Sequence, residues 1–252
     1  MFEKKVLMPL PSYGFDPTEV AIPYKILSEN GVNVLFATPN GQKANTDELM
    51  LTGIRLGIWK RILMARQDAV DAYNNLSHTE NFCHPLSYQA INVADFDGII
   101  LAGGHDKGMR EYLESTILQN AVVNFFEANK PVGAICHGVI LVARSKNPST
   151  QKSVINGYKT TALLKTQEKI AYRLTQLWLK DYYLTYPQTT VEDEVKMALA
   201  QSSDFLEGNM PIVRDSEKNR LGFTVKDKNY LSARWPGDAY TFAYEFLKMI
   251  QL

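Results

Sequence analysis

Two cysteines, Cys83 and Cys136, are each followed by a histidine, and a thiol beside an imidazole is a side-chain pair suited to nucleophilic chemistry near neutral pH. Their surroundings separate them. Cys136 ends the apolar run Val132-Gly133-Ala134-Ile135 and begins His137-Gly138-Val139-Ile140-Leu141, so strand, abrupt turn and helix follow one another without a break. A nucleophile elbow requires that order, with small residues two before and two after the nucleophile, and Ala134 and Gly138 supply them. A helix N-terminus aimed at sulfur favours the thiolate, so the Cys136 thiol is expected to titrate below the usual value of about 8.5. Cys83 lies in Ser77-His78-Thr79-Glu80-Asn81-Phe82-Cys83-His84-Pro85, with no apolar strand before it and no glycine beside it. It reads as a loop residue.

Two further places carry potential chemistry. Gly103-Gly104 follows the run Gly98-Ile99-Ile100-Leu101-Ala102, at the end of a strand where doubly wound sheets bind ligands. Its amides suit an oxyanion hole, shared with an N–H after Cys136, but they also suit a tight turn. Glu19 completes a capping box begun by Asp16, a structural role; it also falls just past the first strand, where the same crevice opens.

The elements that position these residues read as alternating strands and helices. Val6–Leu10 is a buried strand, Asp16-Pro17 starts a helix that Asn30-Gly31 stops, and Val32–Thr38 is a second strand. This β-α-β unit implies a parallel sheet with right-handed crossovers. From Gln42 to about Asn92 the pattern loosens into an insertion, with a helical stretch near Leu56–Tyr73. A strand at 96–101, a helix over 111–129, a strand at 158–164 and helices at 168–179 and 191–200 are expected next. A hairpin over 221–233 and an amphipathic helix over 237–250 close the chain. No linker divides it, so a single domain over 1–252 with the insertion at about 42–92 is expected.

Composition sets the limits. The chain has 252 residues, 45% of them hydrophobic and 21% charged, enough to bury a sizeable core. Lysine plus arginine and aspartate plus glutamate each total 27, so no basic surplus exists for nucleic acid or an anionic membrane. Two cysteines are too few for a disulfide framework or a thiolate zinc site, which points to a reducing compartment and to no metal. The apolar stretch near Met1 is too short for a secretory signal, and no run approaches a membrane span. A cytoplasmic location is expected.

The segments Val132–Gly138, Leu101–His105 and Thr18–Pro23 resemble the ThiJ/PfpI superfamily, which shares its fold with class I glutamine amidotransferase domains. The resemblance spans most of the chain, from Lys5 to the last helix. It implies an α/β fold, a flavodoxin-like parallel sheet flanked by helices, with Cys136 as nucleophile, Glu19 as a protonated partner of its sulfur, His137 as base or shuttle, and Gly103 and Gly104 as oxyanion donors. Some members place an acid about thirty residues after the histidine, and Glu168 is the matching candidate here, although an acid in the first turn of a helix has a structural role as well. Many relatives border the pocket with Thr-Gly-Gln-Asn-Pro. This chain has Ser232-Ala233-Arg234-Trp235-Pro236-Gly237-Asp238 there, so Arg234 and Trp235 either give the pocket its own selectivity or cap the last helix.

Three functions follow from that resemblance. The first is a cysteine-dependent enzyme acting on small reactive carbonyls, of glyoxalase III or deglycase type, turning methylglyoxal into lactate without a cofactor. A cysteine amidase or peptidase with a Cys136-His137-Glu168 triad is the second, and a non-enzymatic redox sensor or holdase chaperone the third. The expected partner is a small-molecule substrate, and the resemblance implies a homodimer.

Overall fold

The computed structural model describes residues 3–251. Its strands are β1 (Lys5–Pro9), β2 (Tyr13–Phe15), β3 (Asn33–Thr38), β4 (Asn45–Thr46), β5 (Leu86–Ser87), β6 (Gly98–Leu101), β7 (Val132–Ile135), β8 (Thr224–Asp227) and β9 (Tyr230–Ala233). Seven of them form one sheet in the order β5-β3-β1-β6-β7-β9-β8, with β8 and β9 antiparallel and every other neighbour parallel. Strands covered on both faces read as continuous apolar runs. Val6-Leu7-Met8 and Ile99-Ile100-Leu101 are such runs, fully buried. The helices flank the sheet in two groups: Pro17–Glu29 packs with Gln67–Leu76 and Ala239–Gln251, while Gly138–Arg144 packs with Thr116–Glu127 and Val191–Ala198.

From β1 the chain crosses to β3 on one side and later to β6 on the other, so the carboxyl ends of β1 and β6 flank a switch point. Gly103 lies just past β6, Cys136 just past β7, and Glu19 in the first turn of the helix after β1 and β2. The topology therefore brings together three residues that are far apart in the chain.

Local signals explain most of the boundaries. Asp16 accepts the N–H groups of Thr18 (2.8 Å) and Glu19 (3.1 Å), as an N-cap should. Only half of the expected capping box forms, because the Asp16 N–H donates to the Gly103 carbonyl at 2.8 Å and the Glu19 carboxyl turns inward. The helix expected over 111–129 is two helices, Met109–Leu113 and Thr116–Glu127, divided where Ser115 caps the second by accepting the Leu118 N–H. The stretch 56–73 likewise breaks at Met64 and Arg66, both extended, between Lys60–Leu63 and Gln67–Leu76. No strand forms at 158–164: the place beside β9 is taken by β8, and Thr160 makes only an isolated bridge to Phe205.

The 42–92 segment does two jobs. Its second half is woven into the body of the fold, since β5 extends the sheet beside β3 and Ala69, Ala72, Tyr73 and Leu76 enter the main core. Its first half carries Met50 and Arg61–Arg66, which wall a cavity described below. Among the described residues no helix is long and apolar enough to cross a membrane.

The elbow depends on Gly138 having no side chain. A Cβ there would lie 2.1 Å from the Leu101 carbonyl oxygen and 2.7 Å from its carbon, both backbone atoms of β6 that have no room to yield. Gly138→Ala is expected to cost about 1–3 kcal/mol or more, the usual penalty for overpacking. Thermal unfolding checks this, and an unchanged midpoint would contradict the packing at the elbow.

Candidate active site

Cys136 sits at the turn between β7 and the helix Gly138–Arg144 with φ at +58°, a left-handed conformation that a non-glycine residue adopts at a cost. Its sulfur is 3.5 Å from His137 Nδ1, and its side chain is buried. The Glu19 carboxyl comes from the helix after β2, accepts the Gly103 N–H through Oε2 at 2.7 Å, and has its Oε1 buried without a partner beside Cys136. Four of the residues expected at the site, Glu19, Gly103, Cys136 and His137, are thus in one cluster.

Electrostatics in the cluster follow from dryness. Burial, with the field of Asp16 behind it, pushes the Glu19 carboxyl well above the carboxylate range against the opposing Gly103 N–H, so the site favours the protonated acid. Burial also pushes the Cys136 thiol well up, reinforced by Glu19 and Asp16 and opposed by the His137 amide. The expected lowering of this thiol is therefore corrected for the closed site: the helix N-terminus is present, but loss of water outweighs it. His137 is held well below its ordinary range by burial, and then by its neighbours His105 and Arg144. Thiol, carboxylic acid and neutral imidazole make a set carrying no formal charge.

Thr185, which no sequence signal marked, settles which nitrogen of His137 is bare. Its hydroxyl donates to the His105 carbonyl at 2.8 Å, and His137 Nε2 lies 3.0 Å from the same oxygen. One hydroxyl hydrogen cannot serve both, so Nε2 carries the proton and donates to Thr185, leaving the Nδ1 lone pair facing Cys136. A hydroxyl stands where a triad would place an acid.

Glu168 is elsewhere. It is buried, its Oε2 accepts the Val191 N–H at 3.1 Å at the start of another helix, and it has no bond to His137. The Cys136-His137-Glu168 triad is not assembled. Gly103 is likewise corrected as an oxyanion donor, because its N–H is occupied by Glu19; Gly104 N–H, in contrast, has no acceptor among the described residues. Arg234 is not a pocket residue: Nε and Nη2 bind the Asp238 carboxylate at 2.9 and 3.0 Å, and Nη1 donates to the carbonyls of Asn209 and Glu207. Cys83 is half-buried, with its thiol directed at the Ser77 carbonyl. Among the described residues no group of three or more histidine, cysteine, aspartate or glutamate side chains is placed to hold a metal ion.

A cavity of about 570 Å³ lies next to the cluster, meeting it through Thr18 and His105, while Cys136, Glu19 and His137 are buried behind its wall and do not line it. Thr18, His105, Tyr183 and Trp235 line it, so of the pair Arg234 and Trp235 only the tryptophan is at the pocket. His105 packs edge-on against both His137 (ring centroids 5.0 Å apart) and Tyr183 (4.9 Å), and burial lowers its pKa to about 4. Arg214 ties the walls together, donating to the Ile62 and Met64 carbonyls while its guanidinium lies 5.5 Å from the Trp235 ring.

Comparison with known proteins gives the family and the fold. The model of the ThiJ/PfpI family-like group matches residues 10–202. The chain belongs to that family. Two relatives from Schizosaccharomyces pombe, described as glutathione-independent glyoxalases, are each 28% identical, over 154 and 186 residues, covering 60% and 67% of this chain and 60% and 70% of their own lengths. An uncharacterized protein of the same yeast is 27% identical over 56% of this chain, and the matched part spans 54% of that relative. The chain thus spans between half and two thirds of the first of these curated relatives. In structure, glyoxalase III from Candida albicans superimposes with a TM-score of 0.72 at 19% identity, covering 98% of this chain and 97% of that one, which establishes the shared fold.

Burial raises the Glu168 pKa to about 7 despite the Val191 N–H. In the unfolded chain a glutamate titrates near 4.3, so the native state holds the proton more tightly, and stability falls as pH rises through the interval between these values. Glu168→Gln cannot ionise. It is expected to match wild type near pH 4.5 and exceed it by up to about 3 kcal/mol at pH 8. Unfolding followed at both pH values checks this, and a difference that does not change with pH would contradict it.

Proposed function

We propose that the protein is a glutathione-independent glyoxalase, converting a 2-oxoaldehyde and water into a 2-hydroxy acid, methylglyoxal into lactate being the simplest case. The observation that carries this reading is a thiol placed between a protonated carboxyl, Glu19, and a bare imidazole nitrogen, His137 Nδ1, with no acid behind the histidine. An internal redox isomerisation needs an acid and a base on either side of a covalent sulfur adduct. An amide hydrolase instead needs a histidine steadied as its charge develops.

In the proposed sequence His137 Nδ1 takes the thiol proton as Cys136 sulfur bonds to the aldehyde carbon, then returns it to the aldehyde oxygen, giving a hemithioacetal and a neutral imidazole. The hydrogen on that carbon then leaves as a proton to His137 while Glu19 protonates the neighbouring ketone oxygen, forming an enediol. His137 then delivers its proton to the second carbon while the hydroxyl hydrogen on the first carbon returns to the Glu19 carboxylate, giving the thioester of the 2-hydroxy acid and restoring both groups. The first carbon has been oxidised and the second reduced, so no external oxidant or reductant enters. Water cleaves the thioester, releasing the acid and restoring the thiol. Gly104 N–H, with an N–H after Cys136, would receive charge on the substrate oxygen. The glyoxalase descriptions of the S. pombe relatives, and that of a deglycase from Thermococcus kodakarensis at 24% identity over 66% of this chain, support a reaction of small carbonyls. The reaction would run in the cytoplasm on a free small molecule.

Purified protein is expected to form lactate from methylglyoxal. Cys136→Ser should reduce the rate by at least about 10³-fold, as removal of a covalent nucleophile does. Thr185→Val should reduce it about 10–100-fold by releasing the His137 tautomer, with Thr185→Ser restoring most of it. Lactate formation that survives Cys136→Ser would refute the mechanism, and a Thr185→Val variant as active as wild type would remove the relay from it.

A further inference from the structure

We infer that the cavity selects 2-oxoaldehydes carrying an aliphatic tail of several carbons over the three-carbon parent; this rests on the glyoxalase reading and narrows its substrate. At about 570 Å³ the cavity lies within the roughly 300–1,000 Å³ range of sites that hold drug-sized ligands, far more than a three-carbon molecule fills. Unfilled space of that kind leaves a small ligand with few contacts and little binding energy to spend on orientation.

The walls have two characters. Thr18 Oγ1, His105 Nδ1, Tyr183 OH and Trp235 Nε1 are buried and lack any hydrogen-bond partner, and all four residues line this cavity. A buried polar group without a partner costs about 1–3 kcal/mol, so four in one wall mark a place where ligand oxygens supply what the protein does not. They stand beside the cluster, since His105 packs against His137 and Thr18 adjoins Glu19 in the same helix turn. The oxygen-bearing head of the substrate belongs at this end.

Much of the remaining lining is aliphatic. Leu63, Leu163 and Leu174 belong to it, and Ile62, Ile170 and Ile212 stand at the mouth, exposed by 60%, 54% and 76%. Apolar side chains converging on one opening are covered by an apolar group, and each methylene removed from water contributes about 0.8 kcal/mol. Of the cations on this wall, Arg214 donates to the Ile62 and Met64 carbonyls, Arg66 pairs with Asp68 and donates to the Asp215 carbonyl, and Arg61 stands exposed at the rim.

The reaction keeps its balance, R–CO–CHO plus water giving R–CHOH–COOH, with R an alkyl chain. The test compares kcat/KM for methylglyoxal, 2-oxohexanal and 2-oxooctanal with the wild-type protein. The longer aldehydes are expected to exceed methylglyoxal by at least tenfold, mainly through KM. Leu174→Trp, which fills the aliphatic wall, is expected to remove that advantage. Ile170→Glu, at a half-exposed position that tolerates polarity, should do the same if the tryptophan variant fails to fold. Turnover of methylglyoxal equal to or better than that of the longer aldehydes would overturn this inference and leave the glyoxalase reading standing. An advantage that persists in both variants would also overturn it. No turnover of any of the three would overturn the glyoxalase reading, and this inference with it.

Discussion

The hydrogen bond from Gly103 N–H to Glu19 Oε2, together with the close seat of Gly138 on the Leu101 carbonyl, is the constraint on which the site depends. Both contacts join β6 to another part of the chain. The first fixes the carboxyl that faces the sulfur. The second presses the elbow onto the strand end, so that Cys136 must accept a left-handed backbone. A parallel sheet makes this economical: three successive crossovers deliver Glu19, Gly103 and Cys136 to one edge, and the core beneath them is too closely packed to let any of the three move alone.

The same burial sets the chemistry. In water, a carboxylic acid, a thiol and an imidazole close together would hold two charges among them. Here desolvation disfavours every charged form, so each proton stays where it costs least until a substrate displaces it. The arrangement is suited to moving protons within a covalent adduct and poorly suited to stabilising a persistent imidazolium, because Thr185 offers His137 an oxygen without charge. The adjoining cavity adds both polar and aliphatic lining, and Arg214 ties its walls together through the Ile62 and Met64 carbonyls.

Much of this was legible in the chain. The run Val132–Ile135, the cysteine and Gly138 encode strand, turn and helix within seven residues, and β1, β6 and β7 appear as short apolar stretches because each is covered on both faces. What was illegible depended on distant neighbours. Glu19 keeps company with Gly103, 84 residues away, so a local reading sees only its place in a capping box. Thr185 lies in an irregular segment with no periodicity, and only the fold brings it 3.0 Å from His137. Glu168 has the right spacing for a triad, yet its helix aims it at Val191. Arg234 borders the pocket in sequence, but Asp238, four residues on, captures it. The segment 158–164 has the composition of a strand and no free neighbour to pair with.

The account's central claim is that a buried acid and a bare imidazole shuttle a proton between the two carbons of a sulfur adduct. Conversion of methylglyoxal in deuterium oxide, with the lactate examined by proton NMR, tests it most directly. Proton shuttling by Glu19 and His137, whose acidic hydrogens exchange with solvent, leaves deuterium at the second carbon of the lactate. Lactate that carries only the aldehyde's own hydrogen at that carbon would contradict the account of a shuttle whose proton exchanges with solvent.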